Sequence, residues 1–494
     1  MRRLVLLVLC LALTAACGST VQVRGQATTT AGGLAADGLD TTGTGATSAP
    51  TVTGDQGAQG SGPGGPTALP GTATAGTGGG TTTTTAPGQS VGGSAATHQS
   101  IQIGFITTSV GNAAAAGLNT GSTYTDRAMY DAFVSEYNLK GGLAGHRIVP
   151  VYGNSDTAST NWGDQFSQVC AKFTQDNKVK AVIGYIFVFL PSFESCLAHA
   201  LVPHLYAGYQ PGDVAAQRQF PTLVSTAHPT VEGSYLAVLE GALASGRLTK
   251  KSKLGVMLDS CSNGDRAFAS STEPWLKAHG IDYQAVIMNC AQGSSDVSAA
   301  AAAVSSAELR FASTGVDLVF AGGIPLLLFM EDAQSQSYHP HYITTVGGAG
   351  LEANAPAAQM ANLHGFGWMP SVDVNPGHQP YGRTATQTAC LAKLAKHGLR
   401  PVAYNDFMQA YATCDGLELY ARALERTAGV TDPTPVVQAV QGLSPSFLGS
   451  ATYAGRLTVA SHQRGGASTY REYGWTTSCS CLTYRGPTYP MPNP

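Results

Sequence analysis

The cysteines are the residues of this sequence whose type and spacing most directly suggest chemistry. Ten cysteines occur in the 494-residue chain, and two of them, Cys10 and Cys17, lie in or just after the apolar N-terminal run. The other eight form an even set, which predicts disulfides if the chain is exported. Neighbouring elements of a fold can bring cysteines within bridging distance, so we expect local pairs. These pairs are Cys170 with Cys196, Cys261 with Cys290, Cys390 with Cys414, and Cys479 with Cys481. The last pair closes a very small ring, and strain could leave it reduced.

Catalytic motifs are not recognisable in the sequence. One Gly-x-Ser-x-Gly match occurs at residues 88–92 (GQSVG), within the Gly/Thr/Ser-rich segment, and residues 101–494 contain no Gly-x-Ser-x-Gly, P-loop, His-Glu-x-x-His or Cys-x-x-Cys pattern. His339-Pro-His341 places two imidazoles on one face of a strand, because side chains alternate there, but a metal site needs further ligands. We interpret this pair as solvent-exposed turn histidines. The sequence therefore predicts a binding protein that is not an enzyme and carries no metal or other cofactor.

An apolar stretch follows one strand-like run. Residues 179–184 (VKAVIG) are predicted to form a strand, and residues 185–193 (YIFVFLPSF) come directly after it. The carboxyl ends of parallel strands are where open α/β sheets bind ligands. One hypothesis is that Phe187 and Phe189 line an apolar ligand cleft there, with Ser192 nearby. The other is that the stretch is the first turn of a buried helix that packs on the sheet.

The N-terminus is typical of an exported protein. Met-Arg-Arg is followed by an apolar run from Leu4 to Leu13 and then by Thr14-Ala-Ala-Cys17, which resembles the cleavage site of a bacterial lipoprotein. We expect residues 1–17 to be a lipoprotein signal peptide with lipidation at Cys17, which holds the protein at the outer face of the cell membrane. The alternative is an ordinary signal peptide that is cut nearby. The apolar run is too short to span a membrane, so the membrane contact would be the lipid alone.

Residues 18–100 differ in composition from the rest of the chain. Gly, Thr, Ser, Ala and Pro dominate this segment, which has no aromatic side chain. It cannot bury enough apolar area to offset the entropy lost on ordering, so we expect a disordered linker. The reach of such a linker is about 50 Å. The formal net charge of the chain is -3, which gives no electrostatic reason to expect a nucleic-acid partner.

From residue 101 onward, the sequence alternates strands with helices in two blocks. Short β-rich runs are separated by segments with helical periodicity. The runs are 101–106, 146–152 and 179–184 in the first block, and 253–258, 283–288 and 316–321 in the second. This alternation predicts an α/β fold with a parallel sheet in each block. The length is too great for one ordinary core and suits two lobes.

Residues 137–149 (YNLKGGLAGHRIV) carry a resemblance to a known family. A helix end, a Gly-Gly-x-x-Gly turn and a second strand follow one another there, and Gly141, Gly142 and Gly145 permit the left-handed turn. The same order is seen in type I periplasmic binding proteins, and the chain resembles their branched-chain amino-acid (Leu/Ile/Val) binding members, which serve ABC transporters. Further matches in order and separation are Asp156, 258–264, 315–322 and 420–426.

The resemblance implies two Rossmann-like lobes with parallel sheets, joined by a hinge of three crossovers. Lobe 1 would consist of residues 101–228 and 370–443, and lobe 2 of residues 229–369 and 444–494. A small molecule would bind in the cleft between the lobes, and hinge closure would enclose it. The implied protein partners are the permease subunits of an ABC transporter.

The sequence departs from the family where an amino acid would be held. The apolar stretch 187–190 replaces the Ser/Thr-rich segment that holds the carboxylate, and Ala349 stands where an acidic residue usually holds the ammonium group. Charged groups without partners are costly in an apolar cleft, so we expect an amphipathic or largely apolar solute. The candidate ligand contacts are Tyr124, Phe187, Phe189, Ser192, Tyr209, Asn263, Gly323 and Glu352.

The expected function is that of a lipid-anchored, extracytoplasmic substrate-binding protein, which captures a small solute for an ABC transporter. The alternative is a sensory or scaffolding lipoprotein, which keeps the fold but signals to a partner. Permease and ATPase genes beside this one would favour transport.

Overall fold

The structure is a computed structural model that describes residues 22–25, 96–109, 121–184, 188–206, 212–375, 377, 383–443, 446–452, 457–460 and 463–493. The predicted signal peptide, with Cys17, lies outside these residues, and so does most of the predicted linker. One short part of that linker, Gln22–Gly25, is a strand, and the first strand of the folded part begins at His98.

The described residues contain fifteen strands. They are β1 (Gln22–Gly25), β2 (His98–Ser109), β3 (His146–Asp156), β4 (Val182–Gly184), β5 (His204–Tyr206), β6 (Leu223–Ser225), β7 (Lys253–Asp259), β8 (Asp282–Met288), β9 (Leu318–Phe320), β10 (His341–Thr344), β11 (Leu363–Gly367), β12 (Leu457–Ala460), β13 (Gln463–Ala467), β14 (Thr469–Thr476) and β15 (Cys481–Pro490).

Fifteen α-helices lie between these strands in the described part of the chain. They are α1 (Asp126–Leu139), α2 (Trp162–Ala171), α3 (Pro191–His199), α4 (Val214–Gln219), α5 (Val231–Ala244), α6 (Gly264–Ala267), α7 (Glu273–His279), α8 (Val297–Thr314), α9 (Gly323–Ser335), α10 (Gly348–Asn354), α11 (Ala357–Met360), α12 (Pro370–Asp373), α13 (Ala385–Ala395), α14 (Tyr404–Arg426) and α15 (Pro433–Leu443).

Lobe 1 is built on a seven-stranded sheet with the order β12-β13-β6-β5-β4-β2-β3. All neighbours are parallel except β12 and β13, which are antiparallel. The central strands β4, β5 and β6 are buried along their whole length, as expected for a parallel sheet with helices on both faces. Their carboxyl ends therefore lie at one edge of the lobe.

The turn from α1 into β3 is the feature of lobe 1 that the sequence marks most clearly. Gly142 has φ +85°, and a methyl group built on it would lie 1.9 Å from the carbonyl oxygen of His146, so only glycine fits. The side chain of Asn138 at the end of α1 accepts a hydrogen bond from the Ile148 amide (2.8 Å) and donates one to the Ile148 carbonyl (3.0 Å). The glycine turn and the two Asn138 hydrogen bonds together set the direction of β3 relative to the end of α1.

Lobe 2 is built on an eight-stranded sheet with the order β1-β8-β7-β9-β10-β11-β14-β15. The five strands from β8 to β11 are parallel, whereas β1, β14 and β15 pair antiparallel at the two edges. The lobe thus repeats the layered α/β arrangement of lobe 1. This confirms the predicted α/β fold with two mostly parallel sheets.

The chain crosses between the two sheets three times within residues 223–490. The first crossover joins β6 to α5, the second joins β11 to α13 and includes α12, and the third lies between β13 and β14. The sequence prediction placed all of 444–494 in lobe 2, and this is wrong for 457–467. The reason is that Gly465 pairs with Ser225 of β6, a strand of lobe 1. The two backbones are so close that a methyl group on Gly465 would lie 1.9 Å from the Ser225 carbonyl oxygen, so this pairing needs glycine.

Three of the four expected disulfides are present. They join Cys170 to Cys196, Cys261 to Cys290, and Cys479 to Cys481. The fourth expectation is wrong in this structure, because Cys390 and Cys414 are both buried free thiols on α13 and α14. The Cys390 thiol donates instead to the carbonyl oxygen of Ala410 (3.3 Å). Among the described helices, none is long and apolar enough to cross a membrane.

Candidate ligand site between the lobes

The three crossovers pack against one another at a point that we call the crossover node, formed by Ala227, His228, Trp368 and Ala467. The Ala467 amide donates a hydrogen bond to the Ala227 carbonyl oxygen, 2.9 Å away. The rings of His228 and Trp368 meet edge to face, with centroids 5.7 Å apart. All four residues are buried, and burial lowers the pKa of His228 to about 3, so its ring is neutral at physiological pH. The node is therefore a compact, uncharged junction of the three connections.

The loops that follow β3 and β8 join the two lobes through the backbone. The Trp162 amide donates to the Gln292 carbonyl oxygen (2.8 Å), and the Ser294 amide donates to the Ser159 carbonyl oxygen (2.9 Å). Gly293 lies so close to lobe 1 that a methyl group on it would be 1.9 Å from the carbonyl oxygen of Thr160. Both loops follow the carboxyl ends of parallel strands, so the contact forms at the edge where such sheets bind ligands.

A second interlobe contact is polar and involves charged side chains. Asp213, which caps α4 in lobe 1, accepts hydrogen bonds from Arg266 Nη2 (2.7 Å) and Asn263 Nδ2 (3.2 Å) of lobe 2. Glu232 at the start of α5 accepts from the Val214 amide (2.9 Å). Burial raises the pKa of Glu232 to about 6, and the nearby Asp213 adds to the effect. This cluster connects the loop after β5 to the loop after β7.

A third interlobe contact is apolar. In lobe 1, Trp162 and Phe189 belong to one buried cluster, and residues of lobe 2 pack against it. These are the disulfide-bonded Cys261 and Cys290 together with Ala291. The disulfide joins the loops after β7 and β8, so it holds the part of lobe 2 that meets lobe 1.

This arrangement of two lobes is similar to that of several solved structures. One is the solute-binding protein of an ABC transporter from Rhodopseudomonas palustris HaA2 in complex with p-hydroxybenzoic acid, with 18% identity and a TM-score of 0.58 over 80% of this chain and 98% of that chain. Another is a fatty acid ABC transporter substrate-binding protein from Thermomonospora curvata, with 14% identity and a TM-score of 0.57 over 81% of this chain and 94% of that chain. A third is the branched-chain amino acid transporter substrate-binding protein LivJ from Streptococcus pneumoniae in complex with isoleucine, with 17% identity and a TM-score of 0.53 over 78% of this chain and 100% of that chain.

The chain has the type I periplasmic binding-protein fold. No protein-family model matches the chain, and no curated protein matches its sequence.

Within the type I binding-protein fold, the apolar stretch after β4 is part of the core where it is described. Phe187 and Tyr209 lie outside the described residues. Phe189 is 3% exposed, and a methyl group on Gly212 would lie 2.8 Å from its ring. The stretch continues into α3, where Pro191 occupies the first turn and Ser192 is exposed. This packing favours the buried-helix hypothesis for Phe189, and its role as a ligand contact stays a prediction.

Two predicted contacts lie at strand ends but already have hydrogen-bond partners. The Tyr124 hydroxyl, in the turn before α1, accepts from the Arg400 amide (3.1 Å). Asn263 has φ +64° and donates to Asp213 of the other lobe. The Tyr124 hydrogen bond lies within lobe 1, whereas the Asn263 hydrogen bond joins the two lobes. Contact of either residue with a ligand stays a prediction.

Glu352 and Gly323, the two predicted contacts of lobe 2, have different environments. The Glu352 carboxylate accepts a hydrogen bond from the Leu482 amide at the start of β15 (2.6 Å). This bond connects α10 to the sheet of lobe 2. Gly323 is the exposed first residue of α9, with φ +61°. For both residues, contact with a ligand stays a prediction.

Sequence reasoning missed two carboxylates at the carboxyl ends of β2 and β7. Asp126 of α1 accepts from the Thr108 amide at the end of β2 (2.7 Å), and Asp259 ends β7. Burial raises the pKa of each to about 6, although one backbone hydrogen bond to each acts in the opposite direction. Asp126 lies in no recognised motif, whereas Asp259 lies in the 258–264 match but was not singled out as a site residue.

The histidine pair is not a metal site within the described part of the chain, where no group of three or more His, Cys, Asp or Glu side chains could hold a metal ion. His339 Nδ1 accepts from Gln359 Nε2 (3.0 Å), and His341 is exposed at the start of β10.

Proposed function

We propose that this chain is a lipid-anchored, extracytoplasmic substrate-binding protein that delivers a small solute to the permease of an ABC transporter. The observation that carries the proposal is the pairing of the loops after β3 and β8, at the carboxyl ends of the strands in both lobes. A cleft between two such edges is where a solute would be held.

The crossover node supports a hinge mechanism. Three connections packed at one junction allow one lobe to rotate against the other while the sheets stay intact. The bonds from Trp162 to Gln292 and from Asp213 to Arg266 would form in the closed arrangement and break on opening. Solute that contacts both lobes would favour closure, because it binds the closed form better.

The proposed solute is small and amphipathic. Ala349 is buried and offers no charge for an ammonium group, and Ile324 stands at the start of α9 with 65% of its side chain exposed. The disulfide of Cys261 and Cys290 adds an apolar contact between the lobes. These features suit a solute with an apolar body better than a free branched-chain amino acid.

Native mass spectrometry of the purified chain tests the proposal, because a tightly bound solute would be retained. Ser159→Cys with Ser294→Cys should trap the closed form through a disulfide and slow the release of that solute, since the two residues already share a backbone hydrogen bond. Ser159→Cys alone is the control. If no solute is retained and none of a panel of small acids, amides and amino acids raises the melting temperature, transport is rejected. The sensory or scaffolding alternative would then be favoured.

A further inference from the structure

The N-terminus of α9 faces the carboxyl edge of the lobe 2 sheet without a capping side chain. Gly322 is its N-cap residue, so no side chain accepts from the first backbone N–H groups. The helix begins directly after β9, where parallel strands present ligand-binding loops. It runs for 13 residues, and the helix dipole adds partial positive charge at this end.

Two hydroxyl groups lie beside this helix start. A methyl group built on Gly322 would be 3.4 Å from Thr345 Oγ1 and 3.8 Å from Thr344 Oγ1. Thr344 ends β10 and is 1% exposed, and its hydroxyl has no hydrogen-bond partner among the described residues. A buried hydroxyl without a partner is unfavourable, so a polar group bound at the start of α9 would gain a hydrogen bond from Thr344.

The backbone does not require glycine at position 322. Its φ of -144° and ψ of 163° are extended and accessible to every residue. The added methyl group would make only ordinary contacts with the two hydroxyls. A capping Ser or Asp would therefore fit, and what glycine provides here is open access to the backbone N–H groups and to Thr344.

We propose that the start of α9, with the hydroxyl of Thr344, binds a carboxylate group of the solute. This inference rests on the proposed function and specifies the chemical class of solute as a small carboxylic acid with an apolar body. The backbone N–H groups of Gly323 and Ile324 would donate to the carboxylate, as helix N-termini do to anions, and the Thr344 hydroxyl would add a third donor. Pro325 has no N–H and cannot contribute.

The neighbouring residues fit this class of solute. The exposed side chain of Ile324 lies at the same helix turn and would contact the apolar body. Ala349 and the glycines of 347–350 place no acidic side chain after β10, and Glu352 is turned to the Leu482 amide. In the family that this chain resembles, the lobe 2 side of the cleft holds an ammonium group. Without an acidic side chain after β10, the same side suits an anion here.

The test compares Gly322→Asp, Gly322→Ala and Thr344→Val in the full chain, with benzoate and octanoate as probes and benzamide and octanamide as their uncharged counterparts. Affinities come from titration calorimetry, and the melting temperature of each ligand-free variant is also recorded. Gly322→Asp caps the helix and places a negative charge at the site, whereas Gly322→Ala adds only the methyl group.

At least one acid should bind the wild-type chain about tenfold or more tightly than its amide. Gly322→Asp should remove that preference, and Thr344→Val should weaken acid binding about tenfold, which is typical of a lost hydrogen bond to a charged group. Gly322→Ala should stay within about threefold of wild type, since its contacts are ordinary. Neither Gly322→Asp nor Thr344→Val should lower the melting temperature without ligand, because one adds a cap and the other removes an unpaired hydroxyl.

Equal binding of acids and amides would overturn the carboxylate assignment while leaving solute binding intact. Acid binding that is unchanged in Gly322→Asp or in Thr344→Val would also overturn it. A lower melting temperature in both variants, with unchanged affinity, would show a structural role only. If none of the four probes binds, the assignment fails, and the proposed function is then decided separately by the retained solute.

Discussion

The carboxylate of Asp213 in lobe 1 accepts a hydrogen bond from Arg266 in lobe 2, with Nη2 and Oδ1 2.7 Å apart. Asp213 is buried, while half of the Arg266 side chain is exposed. Arg266→Ala leaves a buried carboxylate with the Asn263 side chain and the Ala216 amide as partners. Because the exposed guanidinium is screened by solvent, we expect a loss of about 1 to 2 kcal/mol in the free energy of unfolding, measured by chemical denaturation.

Lys277→Ala is the control for this prediction. Lys277 pairs with Glu273 inside α7 (3.0 Å) and does not connect the lobes. Its loss should cost about 0.5 kcal/mol or less. If both variants lower the free energy of unfolding by the same amount, the pair between Asp213 and Arg266 stabilises the fold no more than an ordinary surface pair.

Phe189→Ser should destabilise the protein by about 3 kcal/mol or more, because it replaces a buried ring with a cavity and a hydroxyl. The melting temperature without ligand should fall sharply, whereas any shift caused by ligand should be preserved. Ser192→Ala, at an exposed position three residues further on, should change little. An unchanged melting temperature in Phe189→Ser would restore the cleft hypothesis.

Asp259→Asn should raise stability at neutral pH. Burial raises the folded-state pKa of Asp259 to about 6, above the value of about 3.9 expected in the unfolded chain. Between these values the folded state binds more protons, so this group stabilises the fold as the pH falls from 7 towards 4. The variant should gain up to about 3 kcal/mol at pH 7 and lose that part of the pH dependence. Denaturation of both proteins at pH 5 and pH 7 measures this, with the exposed Asp282→Asn as the control.

Cys390 and Cys414 should both react with an alkylating reagent in denaturant without reductant, because the structure holds them as thiols. In the native protein labelling should be slow, since both thiols are buried and burial raises the pKa of the Cys390 thiol. Cys170 and Cys196 should remain unlabelled until reductant is added. A peptide that links Cys390 to Cys414 would contradict this prediction and restore the fourth disulfide.

Cys17→Ser should move the mature protein from the detergent phase to the aqueous phase, because the proposed anchor is a lipid on that residue. Cys10→Ser is the matched control, since the proposed signal peptide contains Cys10 and is removed. Unchanged partitioning of Cys17→Ser would reject the lipoprotein assignment.

The sequence predicts those parts of the fold in which interactions between residues close in sequence determine the backbone conformation. The Gly141-Gly142 turn and the strands 253–258 and 283–288 are examples, since glycine geometry and apolar periodicity act over a few residues. The C-terminal strands were missed. Gly465 and Gly466 have no side chain that could mark a strand, and Gly465 pairs with Ser225 of β6, 240 positions away in sequence.

The candidate site is harder to predict for a physical reason. In the sequence, a buried core phenylalanine and an aromatic residue that lines a cleft look the same, because either can follow a strand. For Phe189, the packing of Gly212 against its ring is what favours the core. Thr344 was missed because one hydroxyl at a strand end has no motif. Its significance comes from burial and from the start of α9 nearby, which are tertiary properties.

The third crossover also has a consequence for how the chain is made. β13 and β14 are separated only by Ser468, yet one completes the sheet of lobe 1 and the other extends that of lobe 2. Until this segment has been synthesised, β6 and β11 each lack a neighbouring strand, so neither lobe can finish folding ahead of the other on the ribosome. Export, which the proposed function requires, would then act on a chain that stays incomplete until this segment appears, and an incompletely folded chain passes more easily through a translocation channel.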